Sequence, residues 1–255
     1  MVITSRKNDA VKRFRELSHE KKLRDEQGVF LIEGDHLCSE AAKLGLELVF
    51  ALVTEKASEK YPQTVALLRE KCGVTVISDD LAEYISDTRS PQGLFAEVRR
   101  KPQTKPVGTR LLMMDGVQDP GNVGTMIRTA EALGIDGVVL SENCADVYSP
   151  KTLRSAMGSV FRMPCITGSL TEIITGLKAE GFAVYGAMLD ETASALGRME
   201  FPEKCAVVIG SEGRGISDGV KAVCTGGLYI PIIGAESLNA AAAAAVICWE
   251  LKRDK

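Results

Sequence analysis

Histidine is nearly absent. The 255-residue chain has two, His19 and His36. Neither lies near a cysteine cluster, so the sequence offers no zinc site, and no metal is expected. The C-terminal half has no histidine at all, which excludes a mechanism built on a histidine base there. Seven cysteines stand at 38, 72, 144, 165, 205, 224 and 248, an odd number with no C-x-x-C pair. That usage points to a reduced, intracellular protein, and a cytoplasmic one is expected. No apolar run approaches the roughly 18 residues of a membrane span. The opening MVITSRKNDAVKRF lacks the apolar core of a signal peptide. There is no G-x-G-x-x-G fingerprint and no G-x-x-x-x-G-K-[ST], so dinucleotide and P-loop chemistries lack their phosphate cradles. The chain also lacks a strong excess of charge. Its formal net charge of -3 gives, as an average, no sign of nucleic-acid binding.

What is present is a globular composition, with 45% hydrophobic and 25% charged residues. The length suits one large or two ordinary domains. Charge is uneven along the chain. Residues 1–24 carry eight Lys/Arg against three acids, a balance of +5. Val11, Phe14 and Leu17 recur at helical spacing and leave Lys12, Arg13 and Arg15 off the apolar stripe. Strand-like and helix-like segments then alternate: GVFLIEG, DHLCSEAAKLGL, ELVFALVT, YPQTVALLREKCG, VTVIS, DDLAEYISD, GLFAEVRR. The pattern is that of an α/β domain over residues 1–100. RRKPQTKPVGTR, residues 99–110, has two prolines, five basic residues and no acid. It reads as a linker, placed at 101–109, whose charges suit phosphates. Alternation resumes over 110–255 with TRLLMMDGV, GNVGTMIRTAEALG, GVVLSE, SPKTLRSAMGSVFRM, PCITG, SLTEIITGLKAEG, FAVYGAML, KCAVVIG, GGLYIPI and a last helix, SLNAAAAAAVICWELKRD.

Three stretches carry candidate chemistry. In DPGNVGTMIRTAEALG, Pro120 and Gly121 open a turn, Asn122 is a candidate cap, and a helix is expected from Thr125 with Arg128 on it. GSEGRG, Gly210 to Gly215, follows the apolar strand CAVVIG, and such a loop serves equally as a ligand cradle or a tight turn. In IPIIGAESLNAAAAAA, Ser237 or Asn239 is a natural N-cap. Six alanines after it allow close approach on every face, so a helix gripped on several sides is expected.

In this order and spacing, GNVGTMIRTAEALG, VVIGSEGRGIS and IPIIGAESLNAAAAAA closely resemble the three motifs of the SpoU-type (TrmH-like) RNA ribose 2'-O-methyltransferases of the SPOUT superfamily. ITSRKNDAVKRFRELSHEKKLRDEQGVFLIEG looks like the opening of that family's longer members, and SPQGLFAEV like the closing strand of their first domain. The similarity covers nearly the whole chain. One departure is the all-alanine run, where the family often has Val-Ser-Val.

The resemblance implies an α/β fold. Its C-terminal domain would be a parallel sheet of five or six strands with a deep trefoil knot, behind a small ribosomal-protein-like α/β domain that binds RNA. It implies S-adenosylmethionine as cofactor, contacted by Gly210, Ile230 and Leu238, with Ala187, Met188 and Ile232 lining the pocket. The implied reaction is methyl transfer to a ribose 2'-hydroxyl, most readily of ribosomal RNA. Arg128 matches the activating position, and Asn122, Glu212, Ser237 and Asn239 the other polar ones. Asn122 and Asn239 would orient Arg128 and the ribose, Glu212 would organise the loops, and Ser237 would meet RNA or a neighbouring loop. Lys22, Arg24 and Arg89 are candidate phosphate contacts, and a homodimer is implied. The rival readings are transfer RNA as substrate and a non-catalytic RNA-binding protein of the same fold.

Overall fold

The computed structural model describes residues 2–102, 105, 106, 108–190, 193–234 and 237–253. The expected linker therefore falls partly outside the described residues. The chain runs β1 (Val2–Ile3), α1 (Asp9–His19), α2 (Lys21–Gln27), β2 (Val29–Glu33), α3 (Asp35–Lys43), β3 (Leu48–Thr54), α4 (Glu55–Lys60), α5 (Pro62–Lys71), β4 (Gly73–Ile77), α6 (Asp79–Ile85) and β5 (Leu94–Arg99). It continues through β6 (Arg110–Asp115), α7 (Pro120–Ala132), β7 (Gly137–Ser141), α8 (Pro150–Ala156), a 3-10 turn (Ser159–Phe161), β8 (Cys165–Gly168), α9 (Leu170–Ala179), β9 (Ala183–Ala187), β10 (Ser194–Ala195), β11 (Cys205–Gly210), α10 (Asp218–Val223), β12 (Gly226–Tyr229) and α11 (Ala240–Lys252). The elements not foreseen, β1, α2, α4, β10 and α10, span two to seven residues, too short for a period to show.

Contacts divide the chain into two units, residues 1–102 with 148–161, and residues 103–147 with 162–255. The first is built on a mixed sheet in the order β1-β4-β3-β5-β2, in which β5 runs antiparallel to both neighbours. Helix α1 starts where the Asn8 side chain accepts from the Ala10 and Val11 N–H groups. Its stripe of Val11, Phe14 and Leu17 is fully buried against Leu31, Leu52, Ile77 and Phe95. Each such side chain contributes about 1.5–3 kcal/mol by leaving water. Of the segment SPKTLRSAMGSVFRM, expected as one helix of the second domain, residues 149–161 belong to this first unit. Its helix α8 stops at Ala156 because Met157 and Gly158 take left-handed backbone, φ 49° and 84°. Tyr148 and Phe161 flank Phe30, and the Arg154 guanidinium donates two bonds to Asp87.

The second unit holds a wholly parallel sheet of seven strands, β10-β12-β9-β11-β6-β7-β8, one or two more than the resemblance implied. The seventh, β10, is a two-residue edge strand. β6 and β7 are buried throughout, as strands covered on both faces must be. Leu111 and Met113 face a core shared with Leu170, Ile174 and Leu177 of α9 and Val220 of α10. Alternation turns Leu112 and Met114 to the other face, where α11 packs along α7, β11 and β6.

The alanine helix is enclosed on one face only within this chain. Ala240, Ala241, Ala244, Ile247, Cys248 and Leu251 are buried, while Ala242, Val246 and Trp249 are exposed, Trp249 by 60%. The expectation of a helix gripped on several sides is thus met along the seam with α7 and not on the opposite stripe. Methyl side chains let the two helix axes approach closely there.

Candidate active site

The site begins at the end of β6. Asp119, not Asn122, caps α7: its carboxylate accepts the Asn122 N–H at 2.9 Å, and Pro120 takes the first helical position. Asp-Pro is a local start signal, so this correction was available from the sequence. The helix starts five residues earlier than expected, and the Asn122 carboxamide is released from capping. It donates from Nδ2 to Glu212 Oε1, and its Oδ1 accepts from Asn239 Nδ2 at 3.2 Å. Of the two expected caps, Ser237 and Asn239, it is Asn239 that caps α11, its Oδ1 accepting from Ala241 N at 2.9 Å and Ala242 N at 3.3 Å. One carboxamide therefore both starts α11 and fastens it to α7.

Glu212 belongs to the glycine loop. Ser211 and Gly215 exchange backbone hydrogen bonds of 3.2 and 2.9 Å, closing the loop on itself. A Cβ on Gly210 would lie 2.0 Å from the Gly215 carbonyl carbon, so only glycine fits. Beyond the loop, the Ser217 N–H donates to the buried Asp115 carboxylate at 2.8 Å. Gly210 pairs with the same Asp115 across the β11–β6 ladder. Asp115 thus holds both ends of the loop, a role with no local signal in the sequence because its partner lies 102 positions away.

These groups surround a cavity of about 380 Å³ at the carboxyl ends of β9, β11 and β12, where open α/β sheets take ligands. All six residues expected to meet a cofactor line it: Gly210, Ile230, Leu238, Ala187, Met188 and Ile232. Glu212 and Ser237 line it too, and so do Ile209, Ile216 and Leu228, which were not foreseen. The walls are apolar side chains and strand-end backbone, with few charges. That suits a planar heterocycle sandwiched between aliphatic groups and read at its edge by N–H and C=O groups.

Arg128 lies apart from the carboxamide relay. Six residues of α-helix turn it about 120° around the axis from Asn122 and advance it ~9 Å. It is exposed, and among the described residues it has no hydrogen bond to Asn122 or Asn239, so the orienting contact implied by the resemblance is not made. Of the candidate phosphate contacts, Lys22 is 85% exposed beside Glu26, and Arg89 is exposed. Arg24 is a correction: it is 3% exposed, and its guanidinium donates to the Leu17 carbonyl at 2.6 Å, closing the end of α1. Other basic residues also turn inward. Arg13 binds the buried Glu97 through two bonds, Arg15 donates to the Tyr84 carbonyl, and Arg110 is buried against the Pro202 carbonyl. Arg99 pairs with Glu47, and Arg100 pairs with Asp25 while its guanidinium stacks over Tyr148. Among the described residues no group of three or more His, Cys, Asp or Glu could hold a metal, and no helix is long and apolar enough to cross a membrane.

A parallel α/β sheet, an apolar strand-end cavity and a polar relay at its wall define a binding site for an adenosine-like cofactor. Residues 109–249 match the SpoU rRNA Methylase family and residues 8–96 the MRM3-like substrate binding domain. The chain is 38% identical, over 98% of both lengths, to the 23S rRNA (guanosine(2553)-2'-O)-methyltransferase RlmP of Bacillus subtilis. Two solved structures share the fold: an AdoMet-bound rRNA methyltransferase from Sinorhizobium meliloti (TM-score 0.87, 27% identity, 100% of this chain and 98% of that one) and the SpoU methyltransferase AviRb from Streptomyces viridochromogenes in complex with AdoMet (TM-score 0.87, 26% identity, 97% and 98%). This protein belongs to the SpoU rRNA methylase family, the S-adenosylmethionine-dependent RNA methyltransferases.

Proposed function

We propose that the chain methylates a ribose 2'-hydroxyl of ribosomal RNA, with residues 110–255 as the catalytic domain and residues 1–100 as the substrate domain. The observation that carries this reading is the convergence of residues 187–188, 210–212, 230, 232, 237 and 238 on one apolar cavity whose wall bears the Asn239–Asn122–Glu212 relay. S-adenosylmethionine supplies an electrophilic methyl group when bound. The chain's residues hold it through Gly210, Ile230 and Leu238, mainly by backbone, and exclude water with Ile209, Ile216 and Leu228. The likeness to the solved SpoU methyltransferase structure AviRb supports the trefoil knot of the SPOUT fold.

Asn122 and Asn239 are assigned the positioning of the ribose, and Glu212 the fixing of the Asn122 amide. The Arg128 guanidinium carries donors and no acceptor, so it is not assigned the role of base. As an exposed guanidinium it suits a phosphate beside the target ribose and steadies negative charge growing on the 2'-oxygen. The exposed stripe Ala242, Val246 and Trp249 on α11 fits a second copy of the chain, giving a homodimer. A cytoplasmic location accords with seven cysteines that include no C-x-x-C pair.

The test is transfer of labelled methyl from S-adenosylmethionine to total RNA of cells lacking the protein, with resistance to alkaline cleavage marking 2'-O-methylation. One labelled site in ribosomal RNA is expected. Label confined to transfer RNA, or none on any RNA despite cofactor binding, overturns the ribosomal assignment. Trp249→Glu is expected to shift the protein to monomer in analytical ultracentrifugation; a wild type that sediments as a monomer defeats the dimer.

A further inference from the structure

The first unit carries a cavity of about 470 Å³, lined in part by Arg89, one of the candidate phosphate contacts. It opens between the carboxyl end of β3, the α4–α5 junction, α6 and the loop before β5. Its lining includes Lys56, Lys60, Tyr61, Asp79, Glu83, Arg89, Ser90 and Gln92. Three cations against two carboxylates leave it at +1, and the charges are not equivalent. Lys56 is tied to Asp79 at 2.6 Å, an attraction that raises its pKa, so these two largely cancel. Lys60 has its ammonium 5.2 Å from the Tyr61 ring centroid. Arg89 is exposed and has no acid or hydrogen-bond partner among the described residues.

The loop before β5, which lines the cleft, is pinned to the end of β3. Gly93 has φ +72°, and a Cβ there would lie 2.4 Å from Thr54 Oγ1, so the loop is pressed against the end of β3. The Thr54 N–H donates to the Gly93 carbonyl at 2.9 Å. Gln92 spends its amide oxygen on the Asp35 N–H at 2.7 Å, and its NH2 has no acceptor among the described residues. Pro91 removes one more backbone freedom. A pinned wall with an unused amide donor, a tyrosine with a cation beside it and an unpaired arginine form a preorganised polar cleft of ligand size.

We infer that this cleft is a nucleotide-binding site that takes one unpaired nucleotide of the substrate RNA. The base stacks against Tyr61, Lys60 and Arg89 meet the flanking phosphates, and the Gln92 NH2 donates to a base carbonyl. Aromatic stacking with cationic phosphate contacts is how folded proteins hold single-stranded RNA. Glu83 disfavours a bare phosphate deep in the cleft, which leaves the base inside and the phosphates at the Lys60 and Arg89 rim.

The inference rests on the proposed RNA methyltransferase function, and the test separates the two. Steady-state methylation of ribosomal RNA and RNA binding across a salt series would be measured for the wild type, Tyr61→Leu, Tyr61→Phe and Lys60→Ala/Arg89→Ala, with cofactor affinity as a control for folding. Tyr61→Leu should raise the KM for RNA about tenfold with kcat unchanged, and Tyr61→Phe should restore it. The double variant should lower the slope of log affinity against log salt by about two, near one per lost phosphate contact. A wild type that methylates RNA alongside variants with unchanged KM and salt slope overturns the cleft alone. A wild type that binds cofactor but neither binds nor methylates RNA overturns the enzymatic reading and the cleft with it.

Discussion

The strand-end cavity of the second unit and the charged cleft of the first unit are built by opposite means. The strand-end cavity is walled by backbone and aliphatic side chains, closed by a loop that only glycine permits at 210. The N-terminal one is walled by charged and aromatic side chains on short helices and one pinned loop. Backbone walls discriminate by shape and edge hydrogen bonds, as one invariant small molecule requires. Side-chain walls present charge and a stacking surface, as a polyanion requires. A single substitution should therefore act as a near switch in the first and as a graded change in the second.

The sharpest way to break that contrast is at Gly210. A Cβ there meets backbone atoms that cannot swing aside. Gly210→Ala is expected to weaken cofactor binding at least ~100-fold, about 2.8 kcal/mol, while leaving RNA affinity intact. Retained cofactor affinity in titration calorimetry would show that the loop opens freely. Arg128→Ala should lower kcat by about 10²–10³, as loss of one charge-stabilising donor does, with cofactor affinity unchanged. Equal loss of cofactor affinity would place Arg128 in the cavity and not beside it.

Two further changes probe the scaffold under each cavity. Arg13→Ala strands the Glu97 carboxylate, 1% exposed in the first unit's sheet. Removing one partner of such a pair should cost about 3 kcal/mol, the lower end of the range because Arg13 itself is partly exposed. The loss should appear as a lower urea midpoint, without a change in cofactor affinity. Asn239→Ala removes the α11 cap and its link to Asn122, and about 1 kcal/mol of stability is expected to go with it. Because Leu238 beside it lines the cavity, the cofactor KM should rise modestly. A stability loss with no effect on KM or kcat would make Asn239 a cap and nothing more.

Much of this was legible along the chain, and what was not follows a pattern. Segments with their own period or cap were readable: the buried stripe Val11, Phe14, Leu17, and Asn239 ahead of the alanine helix. Six residues are expected at a cofactor through the motifs' resemblance to a known family, and all six line one cavity. Misread positions are those whose partner is remote in sequence or whose charge is spent inside. Arg24 looks like a surface cation in a +5 segment, yet it closes its neighbouring helix at Leu17. Asn122 resembles a cap in its local window, but the stronger Asp119-Pro120 start precedes it, and its freed amide reaches Glu212, 90 positions away.

The sequence by itself determined the alternation of strands and helices, the reduced cysteines, the missing histidine base and the motif order that marks an RNA methyltransferase. These depend on residue type and near spacing, which propensity, capping and periodicity read directly. The tertiary structure alone decided that Asp115 grips both ends of the glycine loop, that α8 packs in the first unit, which arginines are spent in ion pairs, and that Tyr61, Arg89 and Gln92 share a cleft. Those outcomes turn on burial and on hydrogen bonds between residues tens of positions apart, and burial is a property of the packed chain that no local window contains.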